Sequence, residues 1–259
     1  MGPVSKPPVA QVVKEKALLP LCFALVLLLI WQLVVSTFRV PEYLFPSPLR
    51  IGRELITDRA YLLIHGTVTI LEALGGLVIA VASGFLLGTV FAMSSSLERM
   101  VLPYAVATQS VPIVATAPLL ILWLGPGISS KIVMAALICF FPMVVSTSRG
   151  LRAPGREQLA LMRVFGATSW EVFWKLRLPT SIKYVLVGMQ TSAALAMIGA
   201  VVAEYAGADR GLGYVIMQAT YRLDTPLLFA GIFVAAFGGL VLFLVIVFVG
   251  QTALGHYRD

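Results

Sequence analysis

Apolar positions in this chain fall in long unbroken runs, not in the short alternating or one-faced patterns of a soluble domain. Crossing the hydrocarbon core of a bilayer takes about 20 mostly apolar residues, within a range of roughly 17–25. Six segments meet that need: residues 18–38, 68–93, 101–124, 132–148, 184–203 and 227–250. The third is interrupted by Pro112 and Pro118, so it is either one broken span or two half-helices, and the fourth contains Pro142. The first is longer than the roughly 7–15 residues of a signal-peptide core, and no small-x-small cleavage site follows it, so it is read as a retained span.

Three connecting segments carry pattern of their own. Residues 39–67 open with Pro41, Pro46 and Pro48, and about 48–61 mixes Leu49, Ile51, Leu55 and Ile56 with charges, the signature of an interfacial helix. Residues 149–183 contain the breaker Pro154-Gly155, then Leu159, Met162 and Phe165 at helical spacing. Gly166 bends or stops that helix. Thr168 or Ser169 can cap a second one, which carries Trp170, Phe173 and Trp174 and is expected to end before Leu178-Pro179. These large apolar side chains either lie on the membrane interface and their own helices or dock in a groove on a partner. Residues 204–226 hold Gly207, Gly211 and Gly213, which imply tight turns. The segment is either a re-entrant turn or a gate and contact surface. It lacks a Walker lysine and a preceding strand, so it is not a nucleotide loop.

Composition narrows the class. Of 259 residues, 59% are hydrophobic and 12% charged, about half the charge of an ordinary soluble domain, and mean hydropathy is +0.94. A soluble enzyme and a disordered chain are both excluded, leaving an all-α polytopic membrane protein with six transmembrane helices. The net charge of +7 has a location. With both termini inside, the inner segments carry twelve basic and five acidic residues, the outer segments seven and six, and Glu72 lies in a span. The excess therefore sits on the inner side, as the positive-inside rule requires, and no nucleic-acid partner is needed. Cys22 and Cys139 fall in spans as small packing residues, and His65 and His256 lie at span edges far apart, so no metal site is expected. Glu72, near the start of the second span, either reaches the interface or marks function. Gln109, Ser110, Gln190, Thr191 and Ser192 are further polar groups at membrane depth. The small residues of the fifth span either pack helices closely or line a path. Without a dense set of ionisable residues in the spans, an ion-coupled carrier has no ion sites, and uphill transport needs an outside energy source.

Gly166, nine residues, then Leu176-Arg177-Leu178-Pro179 resembles the cytoplasmic signature of binding-protein-dependent ABC importer permeases of the type I fold. That signature runs Glu-Ala-Ala, three residues, Gly, nine residues, Ile-x-Leu-Pro. Ala160-Leu161-Met162 stands at the opening triplet, so the signature glutamate is missing, and Glu157 one turn earlier is the candidate to take its place. Ser110-Val111-Pro112 through Ala117-Pro118-Leu119, Trp123-Leu124-Gly125 and Ser130-Lys131, together with Glu204 through Arg210-Gly211-Leu212-Gly213, is similar to the nitrate/sulfonate/taurine subgroup, which also includes riboflavin and thiamine-precursor relatives.

The resemblance implies a multi-pass protein of the bacterial inner (plasma) membrane. Its segments are an inner stretch 1–17, a permease domain 18–250 with coupling loop 149–183, and a tail 251–259. It implies a homodimer, two ATPase subunits below that hold ATP and Mg, a soluble periplasmic or lipid-anchored binding protein above, and no cofactor or catalytic residue in this chain. Glu157, Ala160, Met162, Phe165, Gly166, Ala167, Leu178 and Pro179 would contact the ATPase. Gln109, Thr116, Gln190 and Met197 are the pathway candidates, and Glu204, Arg210, Gly211 and Gly213 the outer gate. The alternative is a stand-alone channel or secondary carrier. With no lysine or arginine in the spans as drawn, a vitamin or pyrimidine heterocycle is favoured over a sulfonate.

Overall fold

The computed structural model describes residues 9–254, and the side chains of 18–252. The inner segment 1–17 with Lys6, Lys14, Glu15 and Lys16, and the tail with His256, Arg258 and Asp259, lie outside the described side chains. Eleven α-helices and one π turn make up the described residues: α1 (Val9–Thr37), α2 (Pro48–Thr57), α3 (Arg59–Met93), α4 (Ser95–Gln109), α5 (Ile113–Leu124), α6 (Ile128–Leu151), α7 (Arg156–Val164), α8 (Ser169–Val172), the π turn Phe173–Arg177, α9 (Leu178–Gly207), α10 (Leu212–Arg222) and α11 (Thr225–Leu254). Among the described residues five stretches are long and apolar enough to cross a membrane, and α4 with α5, bent by 96°, brings the number to six if the pair counts as one span.

The expected spans are present, with three physical differences. First, α3 begins at Arg59, nine residues before the run 68–93. The amphipathic segment at 48–61 divides accordingly. Ser47 caps α2, its Oγ accepting the Arg50 N–H at 3.3 Å, and Pro48 suits the first turn. Its 35 residues make α3 about 52 Å long, well beyond a hydrocarbon core of about 30 Å. The outer turns of α3 therefore stand clear of the core and serve as a wall for the outer segments. Second, the third span is two half-helices. Pro112 supplies no N–H to continue α4, and neither piece, 15 and 12 residues, spans alone. Third, residues 204–226 are not a simple turn: α10 packs there with Leu212, Val215 and Ala219 fully buried.

Small residues decide how the core closes. α6 lies between α3 and α9. A Cβ added at Gly84 of α3 would sit 2.6 Å from Met143 Cβ of α6, and one at Gly199 of α9 would sit 2.8 Å from Ala135 Cα. Backbones this close gain dispersion contacts that lipid tails cannot match. Cys139 is a packing residue, as expected; its Sγ donates to Ser192 O at 3.1 Å across the α6–α9 contact. Cys22 is exposed on α1. At the inner end Arg152 bonds both Glu98 and the Phe91 carbonyl, tying α6 to α4 and α3.

Candidate functional site

The inner loop is two short helices around a built turn. Gln158 Oε1 accepts the Gly155 N–H at 3.0 Å and starts α7. At its end Gly166 takes φ +70°, which lets its N–H reach Arg163 O at 2.9 Å and the Ala167 N–H reach Met162 O at 2.9 Å. This is the Schellman pattern that satisfies the last carbonyls of a helix. Thr168 then caps α8: its Oγ1 accepts from Glu171 N at 3.3 Å, and Glu171 Oε2 accepts the Thr168 N–H at 3.0 Å.

The second helix does not end before Leu178-Pro179. The Leu178 N–H reaches Phe173 O, five residues back, and this π turn joins α8 to α9. The longer loop accommodates Pro179, which has no N–H of its own. Ser169–Gly207 is thereby one continuous rod of 39 residues.

What that loop presents is apolar. Phe165 is 77% exposed and Trp170 69%, with Leu161 and Val164 exposed beside them. Trp170 and Trp174 meet edge to face at 5.4 Å, and Phe173 joins them. Of the expected contact set, Glu157, Ala160, Phe165 and Gly166 are exposed and Met162 and Ala167 half-buried, all on or beside α7, while Leu178 and Pro179 are half-buried where the π turn meets α9.

The other end of the same rod holds a second arrangement. Three successive N–H groups at the start of α10 are each taken by a side chain. Gly211 donates to His65 Nδ1 at 2.9 Å, Leu212 to Thr69 Oγ1 at 2.8 Å, and Gly213 to Glu204 Oε2 at 2.6 Å. Helix starts leave such donors unpaired, so the half-buried His65 and the buried Thr69 of α3, with the buried Glu204 of α9, fix the turn in place. Gly211, at φ +100°, has no room for a side chain, because an added Cβ would overlap the Glu204 carboxyl. Glu72, Glu204 and Lys131 share the volume beneath, all buried. Lys131 Nζ donates to Gly207 O at 3.0 Å and to Pro126 O.

Three placements stand out here. Glu72 is 3% exposed, enclosed by the protein more than three turns into α3. Lys131 is not an outer-loop lysine: α6 starts at Ile128, so it lies in the first turn of a span and is buried. Glu204 and Arg210, both read as outer-gate residues, stand in different surroundings. Glu204 is buried with Gly211 and Gly213, while Arg210 lies at the surface against Asp209 at 3.4 Å and holds that carboxyl below the usual carboxylate range. Beside this cluster a cavity of about 750 Å³ opens, walled by Val68, Leu71, Glu72, Ile121, Ile128 and Lys131, with Asp209 and Arg210 also lining it.

Residues 80–255 match the family described as binding-protein-dependent transport system inner membrane component. The chain belongs to that family. Similar relatives include a probable ABC transporter permease protein of Haemophilus influenzae, 36% identical over 85% of this chain and 90% of its own length. The formylaminopyrimidine transport permease protein ThiX of Halalkalibacterium halodurans is 34% identical over 87% and 90%. The riboflavin transport system permease protein RibX of Chloroflexus aurantiacus is 34% identical over 80% and 78%. The chain is thus an ABC transporter permease, a multi-pass component of the inner membrane.

Within this permease the four pathway candidates do not converge on the outer cavity. Gln109 is exposed at the end of α4. Thr116 on α5 donates to Ile113 O at 2.7 Å and lies 3.3 Å from Met134 Sδ. Gln190 is half-buried on α9, and Met197 is buried in the core against α11. His65, Thr69 and Lys131 were not among the expected site residues. His65 and Thr69 stand four apart, so they share one face of α3, but nothing local says that α10 starts beside them.

Proposed function

We propose that two copies of this chain form the solute path of an ATP-driven importer, with the turn at Gly166 seated in a groove on each ATPase subunit. A binding protein delivers the solute at the outer face, and the solute is a small heterocycle of the vitamin or pyrimidine class. One observation carries the ATPase contact: an apolar surface built on Phe165 and Trp170 stands uncovered on a capped, ordered turn within a loop of net charge +5. Exposed aromatic groups on a rigid support are what interface hot spots are made of. The solute class rests on the relatives named for formylaminopyrimidine and riboflavin.

The continuous rod supplies the mechanics. ATP binding draws the ATPase subunits together and carries both Gly166 turns inward. Because α8, the π turn and α9 are unbroken, that displacement passes along about 58 Å of helix to Glu204 and the Gly211 turn at the outer end. ATP and Mg stay on the ATPase, and this chain carries out no chemistry.

Gly166→Asp tests the reading. Open space surrounds Gly166, and Asp tolerates a positive φ better than most residues, so the chain folds and inserts. Substrate-stimulated ATP hydrolysis by the complete transporter is expected to be lost. Hydrolysis at the wild-type rate would refute the contact.

A further inference from the structure

A crevice of about 260 Å³ opens at the inner end of the molecule. Two arginines line it, Arg163 of α7 and Arg177 of the π turn, together with Ser169. Met93, Leu159, Val172 and Phe173 supply the apolar part of the wall. Both guanidinium groups carry a fixed positive charge. The ion pairs among the described residues involve Arg50, Arg152, Lys175 and Arg210, so neither arginine of the crevice has an acidic partner there. Glu171, the acid nearest to the crevice along the chain, is held by Lys175 at 2.9 Å and by the Thr168 N–H at 3.0 Å. Two guanidinium forks and a hydroxyl group without an acceptor are the complement of a phosphate.

The position of the crevice narrows the source of that phosphate. Met93 closes α3 and Arg177 directly precedes α9, so the crevice sits where two spans end on the inner side. The apolar run of the fifth span begins at residue 184, seven residues or about 10 Å of helix beyond Arg177. The headgroup layer is roughly 5–8 Å deep on each face, within reach of an arginine side chain. The crevice also faces away from the surface proposed for the ATPase. Leu159 and Arg163 stand four apart on one face of α7, whereas Leu161, two residues from each, lies about 160° round the helix.

We infer that this crevice holds the phosphate of an anionic phospholipid of the inner leaflet. The two guanidinium groups grip the phosphate oxygens, and Met93, Val172 and Phe173 take the glycerol and the first methylenes. A free phosphate ion offers the same oxygens but leaves the apolar wall uncovered. A zwitterionic lipid brings an ammonium group against two positive charges. The bound headgroup joins α7 to the start of α9, one on each side of the Gly166 turn, and so braces the turn against the long rod.

The test titrates the full-length permease in mild detergent with mixtures of phosphatidylglycerol and phosphatidylcholine and counts bound lipids by native mass spectrometry. At about fivefold for each arginine, the wild type is expected to prefer phosphatidylglycerol about 25-fold at its tightest site. Arg163→Gln and Arg177→Gln should each lower that preference about fivefold, and both together should abolish it. Neither change removes an ion pair, and size-exclusion chromatography checks that the fold persists. Arg163→Lys with Arg177→Lys keeps both charges and should hold the preference within about threefold of wild type. Arg99→Gln with Arg156→Gln, an equal loss of charge outside the crevice, should leave it unchanged. Wild-type preference in the crevice glutamine pair, or an equal loss in the control pair, overturns the site. A lysine pair as poor as the glutamine pair makes the loss structural and overturns it too. Displacement of phosphatidylglycerol by excess inorganic phosphate overturns the lipid assignment in favour of a soluble anion.

Discussion

Gly166 and Gly211 both hold positive φ, at +70° and +100°, yet the same substitution should affect them very differently. At Gly166 an added Cβ meets open space, so alanine costs only the left-handed backbone, about 1–2 kcal/mol. At Gly211 the backbone, with ψ 169°, lies in a region open almost only to glycine, worth about 1–3 kcal/mol. The Cβ also overlaps the Glu204 carboxyl. Moving Glu204 aside breaks its 2.6 Å bond to the Gly213 N–H and strands a buried donor, a further cost of about 1–3 kcal/mol. Gly211→Ala therefore loses about 2–6 kcal/mol against about 1–2 for Gly166→Ala. The assay is the fraction of detergent-solubilised protein that stays monodisperse after heating, read by size-exclusion chromatography. Gly211→Ala should lower the midpoint well beyond Gly166→Ala. Equal midpoints would mean that the Glu204 contact does not hold the turn.

Two other expectations follow from the packing and the loop. Gly84→Leu drives a side chain into Met143 across the α3–α6 contact and should cost about 1–3 kcal/mol or more, seen as reduced yield of folded protein; a wild-type midpoint would argue that these helices can separate freely. Trp170→Ser removes an exposed aromatic group and should leave the heating midpoint unchanged while weakening retention of the ATPase about 30-fold, the equivalent of about 2 kcal/mol. Undiminished co-purification would move the contact elsewhere on the loop.

The inner loop was the most legible part of the site, because its geometry is local. Gly166 at the end of a periodic run, Thr168 three residues before Glu171, and Pro154-Gly155 before α7 each act within one or two helical turns. The exception is Leu178-Pro179. Proline as a helix stop is sound locally, but here the backbone widens into a π turn, and α9 continues from α8. The outer cluster was legible only in its glycines. Glu204 and Arg210 were both singled out for the outer gate, but the partner of each was not. The structure sets Glu204 against Gly213 and Glu72, and leaves Arg210 to Asp209.

The sequence by itself determined that the chain lives in a membrane, how many times its helices can cross it, and which face is basic. Those properties depend on run length and on charge counted along the chain. It also set the family signature, since Gly166 and Leu178-Pro179 are fixed by spacing. Only the tertiary structure decided where α3 and α6 begin, and hence that Glu72 and Lys131 are buried, and that His65, Thr69 and Glu204 close the start of α10. These groups lie as much as 146 residues apart in the chain. They meet because stripes of small residues let α3, α6 and α9 pack at backbone distance, and that packing is set by the complementarity of whole helix faces, which hydropathy along a single segment does not contain.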